Sequence, residues 1–142
     1  MTTSIRAITA SGRVAALLIG TMLSISACSR PAAGGSRTTA GPKVFAAGTA
    51  IPASLTLLAA DGDVGRRGAI SSDYRPQVRF ANGPAEPTCR IELPAASPTL
   101  EPGQTATASL KCDAEVCVDP SKPELVLLEG GRQVGKGSVA IQ

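Results

Sequence analysis

The sequence predicts an all-β domain of about six strands, either a small barrel or a sandwich. Two observations predict it. From about Phe45 onward, apolar and polar residues alternate with a period of two, and helical periodicity is absent. Gly and Pro residues interrupt this alternation roughly every 8–15 residues, as turns between short strands do. Each predicted strand therefore has one face for a core and one face for solvent.

The alternation defines the individual strands. In the clearest one, Ala106, Ala108 and Leu110 share a face with Cys112, while the residues between them are polar. Gly130 and Gly131 lie between the last two strands, and both can adopt a positive φ, which predicts a two-residue hairpin turn. The predicted strands are 51–58, 77–80, 89–93, 105–112, 125–128 and 132–141.

The composition excludes several functions. The 142 residues include no His and no Trp, and aromatic residues make up only 2%. The absence of His removes the commonest general base and metal ligand. The net charge is +3, and Arg6 and Arg13 lie in the N-terminal leader described next, so the remainder is near +1. That charge is too small to indicate a nucleic-acid-binding surface.

The N-terminus has the pattern of a secretory signal peptide. Arg6 and Arg13 form a basic segment, and residues 14–23 form an apolar run of about ten residues, too short to span a bilayer. The tetrapeptide Ile25-Ser26-Ala27-Cys28 resembles the bacterial lipobox. This resemblance implies cleavage before Cys28 and acylation of that cysteine, with palmitate or similar chains. The alternatives are an ordinary signal peptide with a chance cysteine, and a leader retained as an anchoring helix.

The chain therefore divides into three parts. Residues 1–27 are the predicted lipoprotein signal peptide, residues 28–42 are a flexible tether of small and polar residues, and residues 43–142 are the β-domain. Two or three acyl chains on Cys28 would give stable membrane attachment. We expect a membrane-anchored lipoprotein of the cell envelope, on the periplasmic or outer face.

Several segments of the β-domain resemble the C-terminal domain of translation elongation factor Tu. They occur in that family's order and at its spacing, over roughly 90 residues, and the resemblance implies a six-stranded antiparallel Greek-key β-barrel. The segments are Asp63-Val64-Gly65-Arg66, Asp73-Tyr74-Arg75-Pro76-Gln77-Val78-Arg79-Phe80, Ile91-Glu92-Leu93-Pro94, Pro102-Gly103 and the stretch Glu129-Gly130-Gly131-Arg132-Gln133-Val134-Gly135-Lys136-Gly137.

The family's activity does not carry over with the resemblance. The sequence has no phosphate-binding loop ending in Gly-Lys-Ser/Thr, so we expect no GTP binding. Arg66 and Gly131 match positions of the family's tRNA-binding surface, but Arg67 replaces the family's His. We expect no tRNA binding, and interpret Arg66 as a solvated loop charge and Gly131 as a turn residue.

No other constellation predicts catalysis, a metal site or a cofactor. Asp61, Asp63 and Asp73 lack the spacing and glycine of an EF-hand loop. Three thiols without His make a poor zinc site, and a Ser–His triad is impossible without His. The prediction is a protein that is not an enzyme.

The three cysteines beyond Cys28 predict one disulfide. Cys117 follows Cys112 by five positions, in a connection that the resemblance implies is lengthened by about three residues. We predict a Cys112–Cys117 bridge that staples this loop, with Cys89 as a buried thiol. Cys89–Cys112, Cys89–Cys117 and the absence of any bridge are the alternatives.

The predicted function is a lipid-tethered, non-catalytic binding or scaffolding module of the envelope, whose partner is an unidentified envelope protein. One alternative is an inhibitor or decoy that presents an elongation-factor-like surface to a toxin or partner. The other is an envelope enzyme of unknown type. A flat barrel surface would favour scaffolding, whereas a pocket with convergent polar groups would favour an enzyme.

Overall fold

A computed structural model describes residues 41–141, and these residues form ten β-strands. The described residues include no helix that could cross a membrane. Residues 1–40, with the predicted leader, Cys28 and most of the tether, lie outside the described part. The strands are β1 (Lys43–Phe45), β2 (Ala50–Leu57), β3 (Ile70–Ser71), β4 (Gln77–Phe80), β5 (Cys89–Glu92), β6 (Thr99–Leu100), β7 (Thr105–Cys112), β8 (Val116–Val118), β9 (Glu124–Glu129) and β10 (Arg132–Val139).

Six strands form one antiparallel sheet in the order β4-β9-β10-β2-β7-β5. The sheet curls until its two edges meet. The amide of Val78 donates to the carbonyl of Pro87 at 2.9 Å, and the amide of Cys89 donates to the carbonyl of Pro76 at 3.0 Å. We call this junction, where residues 73–78 meet residues 87–91, the seam. The predicted all-β fold with a six-stranded antiparallel barrel is confirmed.

The core lies inside the curled sheet and follows the predicted alternation. Along β2 every second side chain is buried, and the same pattern recurs in β4 and β5. Burial of aliphatic side chains contributes about 1.5–3 kcal/mol each, which compensates for the scarcity of aromatic residues. The largest fully buried side chains are Ile51, Leu55, Leu57, Val78, Ile91, Leu100, Leu110, Val118, Leu125, Leu127 and Val134.

The hairpin of β9 and β10 has the predicted turn. Gly130 and Gly131 have φ values of 58° and 81°, a conformation that matches the right-handed twist of the flanking strands. A register shift between Gln133 and Gly135 marks a β-bulge in β10, which increases its local twist. The bulge turns Val134 into the core beside Gly135.

Two small ribbons outside the main sheet were not predicted. In the first, β1 pairs with β8 and Phe45 lies opposite Val116, and both side chains join the core. In the second, β3 pairs with β6 and buries Ile70 and Leu100. The segment after Cys112, expected to be a loop that needs a staple, is therefore a paired strand.

Candidate functional site

The structure corrects the predicted disulfide. Cys89 on β5 bonds to Cys112 on β7, with the sulfurs 2.00 Å apart and the residues 23 positions apart in sequence. The predicted Cys112–Cys117 bridge is wrong, and so is the prediction that Cys89 is a thiol. Cys89 and Cys112 lie directly opposite each other in the register of the two strands, with both side chains on the buried face.

The sequence contained part of the information needed to predict the Cys89–Cys112 pairing. The alternation placed Cys89 and Cys112 on the apolar faces of their strands, and two buried cysteines on neighbouring strands are a candidate pair. The strand register, which sets them opposite each other, does not follow from alternation alone. The short interval from Cys112 to Cys117 favoured the wrong bridge because it was interpreted as a loop that needs a disulfide. Pairing of β8 with β1 already orders that segment.

The predicted lipid-attachment residue, Cys28, lies outside the described residues, so its acylation stays a prediction. Cys117 lies on β8, opposite Val44 of β1. Val44 is half exposed, and among the described large apolar side chains only Val64 shares this degree of exposure. Val44 lies on β1 and Val64 lies in the loop before β3.

An open groove of about 420 Å³ crosses the outer face of β9, β10 and β2. Short residues on β2 and β10, namely Ser54, Gly137 and Ser138, leave a depression beside longer side chains. The groove is lined by Ser54, Thr56, Glu124, Leu125, Val126, Gln133, Lys136, Gly137 and Ser138. Its volume is within the range of small-ligand sites, although it is open rather than enclosed.

The groove's polar side chains are mostly unengaged within the described part of the chain. Thr56 shares a hydrogen bond of 2.7 Å with the hydroxyl of Thr105. Glu124 and Lys136 form no ion pair with any described residue, although the register places both on the outer face of adjacent strands. The groove therefore offers hydroxyls, an amide, a carboxylate and an ammonium group to a ligand.

Arg66, interpreted from the sequence as a solvated loop charge, is engaged with the barrel. Its guanidinium lies 4.9 Å from the centre of the Tyr74 ring, and its Nη1 is 3.4 Å from the Glu129 carboxylate. Its Nε donates to the carbonyl of Gly68 at 2.8 Å. Because Glu129 ends β9, Arg66 fastens the loop before β3 to the closing hairpin, so the solvated interpretation is wrong.

Tyr74 lies under Arg66 at the seam. Its hydroxyl is buried and has no hydrogen-bond partner among the described residues. Burial, followed by the negative charge of Glu129, raises the pKa of the Tyr74 phenol, while Arg66 acts in the opposite direction. The cluster of Arg66, Tyr74 and Glu129 holds the hairpin against the seam.

A ladder of charges runs over the outer face of β5 and β7. Arg90 and Lys111 lie directly opposite each other, and the Glu92 carboxylate forms an ion pair with each, at 3.4 and 2.9 Å. Asp73 adds a weaker contact to Arg90 at 3.6 Å. Like charges opposite each other in a sheet repel, so Glu92 offsets this repulsion. The ladder is a structural feature of the sheet surface.

Residues 41–141 bring together no group of three or more His, Cys, Asp or Glu side chains that could hold a metal ion. Comparison of the sequence with protein-family models finds no match, and comparison with curated proteins finds none. The groove across β9, β10 and β2 is a candidate binding surface of the barrel.

Proposed function

We propose that this protein is an envelope lipoprotein, anchored through acylated Cys28, whose β-barrel is a non-catalytic binding module. The single observation that carries the proposal is Ile25-Ser26-Ala27-Cys28 at the end of a basic and apolar leader. The barrel itself resembles the C-terminal domain of elongation factor Tu in strand number and in sequence motifs. Without the family's phosphate loop, that resemblance supports a binding role.

The Cys89–Cys112 bridge supports export by an independent argument. Disulfides persist in oxidising compartments and are rare where thiols are kept reduced. The bridge is buried within the barrel, so it serves the fold and is not an exposed redox centre. A chain that leaves the cytoplasm behind a signal peptide can form it.

The non-catalytic part of the proposal rests on chemistry. The sequence contains no His, so the groove lacks the side chain that most often acts as a general base at neutral pH. Hydroxyl and amide groups on a rigid sheet face suit reversible hydrogen bonding to a ligand.

The test of the anchor is Cys28→Ala in the full chain, expressed in a bacterium with a lipoprotein-processing pathway. The wild-type protein should sediment with membranes and incorporate a fatty-acid analogue. The variant should incorporate none and appear in the soluble fraction. A variant that still sediments, beside a wild type that takes no label, contradicts the proposal.

The matched control is Ser29→Ala, which changes the next residue and leaves the Ile-Ser-Ala-Cys motif intact. It should incorporate label and sediment as the wild type does. Loss of label in this control would show that the segment fails for a reason other than the lipidated thiol.

A further inference from the structure

The groove across β9, β10 and β2 has a charge arrangement that selects a class of ligand. Ser138 lies opposite Glu124 and Lys136 lies opposite Val126, so Glu124 and Lys136 are diagonal neighbours on the outer face. Diagonal neighbours in an antiparallel pair have Cβ atoms about 7 Å apart. One end of the groove is therefore anionic and the other cationic.

Any ion pair formed between Glu124 and Lys136 themselves would be an exposed pair. Such pairs contribute little to stability because water and salt screen them. A ligand that carries one positive and one negative group can therefore replace that ion pair with little loss of free energy. It gains two charge-assisted contacts in return.

Between the charges, the groove exposes more apolar than polar surface, together with a few hydrogen-bonding groups. Ser54, Ser138 and Gln133 have no side-chain hydrogen bond to a described residue, so their donors and acceptors are open to a ligand. Val126 contributes an apolar side chain to the lining, whereas the side chain of Leu125 is buried in the core, and no aromatic side chain lines the groove. Small aliphatic groups and peptide amides match this lining, whereas flat rings find nothing on which to stack.

The dimensions favour two or three amino-acid residues. An extended chain rises about 3.3 Å per residue, so the terminal charges of a dipeptide lie about 6–7 Å apart. The side chains of Glu124 and Lys136 leave Cβ atoms about 7 Å apart and can reach the two ends of such a peptide, whereas the charges of a single amino acid lie much closer together. We propose that the groove binds a short peptide with small side chains, its ammonium at Glu124 and its carboxylate at Lys136.

The inference rests on the proposed function in one respect, because it names the ligand class of the proposed binding module. It is tested without the anchor, on the chain from residue 28 with Cys28→Ser. Failure of lipidation would leave the result of this test unchanged. Loss of peptide binding would equally leave the lipidation test unchanged.

The experiment is an NMR titration of this chain with dialanine and trialanine. Both peptides should shift the amide signals of β9 and β10 around the groove, with dissociation constants in the roughly millimolar range expected of an exposed site. Alanine should bind more weakly, as should dialanine with an acetylated amine or an amidated carboxylate. Dialanine capped at both ends carries neither charge. If it shifts the same amide signals as strongly as free dialanine does, the proposal is overturned.

Variants locate the two ends. Lys136→Gln and Glu124→Gln should each weaken binding by roughly threefold or more. Lys136→Gln should also abolish the difference between free and amidated carboxylate, and Glu124→Gln the difference between free and acetylated amine. Lys122→Gln and Glu115→Gln, which remove like charges outside the groove, should leave affinity unchanged. If these controls weaken peptide binding equally, the effect comes from the net charge of the protein, and the proposed site is refuted.

A free carboxylate together with a free amine occurs in soluble peptides and, where a diamino residue supplies the amine, in the peptide stems of a bacterial cell wall. Pelleting the Cys28→Ser chain with purified cell-wall sacculi distinguishes the two sources. Retention that Lys136→Gln and Glu124→Gln reduce assigns the wall peptides as ligand. Peptide binding in solution without retention on sacculi assigns free peptides. Absence of both overturns the proposal.

Discussion

Two neighbouring pairs of barrel strands are held together by different means. A two-residue turn joins β9 to β10, and the strands then pair along their full lengths. Between β5 and β7, residues 93–104 intervene and include β6, and only four residue pairs connect the two strands. The first pair is held by local geometry, whereas the second has the disulfide between Cys89 and Cys112.

The difference follows from chain entropy. Bringing together strands joined by two residues orders little chain, whereas joining β5 to β7 also orders a long connection. A covalent bond lowers that cost by restricting the unfolded chain. Fixing β5 in place also matters for the seam, because backbone groups of β5 close the barrel against residues 73–78.

The strongest test of this comparison removes the bridge. Cys89→Ala with Cys112→Ala should lower the free energy of unfolding by about 3 kcal/mol, the entropic value for a loop of this length. Urea denaturation of both proteins under non-reducing conditions measures it. Peptide mapping of the unreduced wild type should recover Cys89 linked to Cys112. A loss below about 1 kcal/mol would mean that β5 and β7 need no staple.

The next test concerns the approach of β10 to its other neighbour in the sheet, β2. Gly137 lies in β10, where a Cβ would lie 2.8 Å from Cδ2 of Leu55 and would overlap the Ser54 carbonyl. Gly137→Ala should therefore lower the free energy of unfolding by about 2 kcal/mol, since backbone on the facing strand cannot move aside. Gly83→Ala is the control, because the nearest atom to its new Cβ is 3.9 Å away. Similar small effects of both substitutions would contradict the tight approach of β10 to β2.

A third test addresses the turn. Gly131 has a φ of 81° and open space around it, so Gly131→Ala introduces strain without a clash. We expect a loss of about 1 kcal/mol in thermal or urea unfolding. Gly131→Asn should lose less, because Asn tolerates positive φ better than Ala. A larger loss for Asn than for Ala would show that the turn depends on something other than backbone conformation.

The smallest expected effect is at Tyr74, where the seam and the hairpin meet. Because burial raises the pKa of Tyr74 in the folded state, its contribution to stability is fully present below the unfolded value of 10.0 and is lost as pH rises through the folded pKa. Tyr74→Phe should reduce this alkaline loss when unfolding is followed from pH 8 upward. It should leave stability near pH 7 within about 1 kcal/mol, because the hydroxyl has no hydrogen bond to lose.

If Tyr74→Phe and the wild type lose stability in parallel above pH 9, the Tyr74 phenol does not titrate with folding. Arg66→Lys provides the matched comparison. It retains the charge beside Tyr74 but loses the planar group that stacks on the ring and donates to Gly68.

Residue alternation was sufficient to predict the six barrel strands, because each has one buried face and a clear turn at its end. It was insufficient for β1, β3, β6 and β8, which have two or three residues each. A strand that short shows no period, and its position depends on a partner far away in sequence. Phe45 illustrates this, since its place in the core depends on pairing with Val116.

The groove was beyond sequence reasoning for a related reason. Its members come from β2, β9 and β10, and nothing in the spacing of Ser54, Glu124 and Lys136 predicts that they share one face. The order of strands in the sheet decides it. Arg66 shows the same limit, because its loop position predicts solvent, while Tyr74 and Glu129, its partners, are brought to it by the seam and the hairpin.

The position of β10 in the sheet also sets the order of events in time. The last described strand, β10, lies between β9 and β2, so β2 lacks one of its two neighbours until β10 is available. A chain that emerges from a ribosome or a translocation pore N-terminus first cannot complete the barrel during its passage. Non-local pairing of this kind also slows folding. Closure of the barrel therefore waits for β10, whichever of the other strands have already paired.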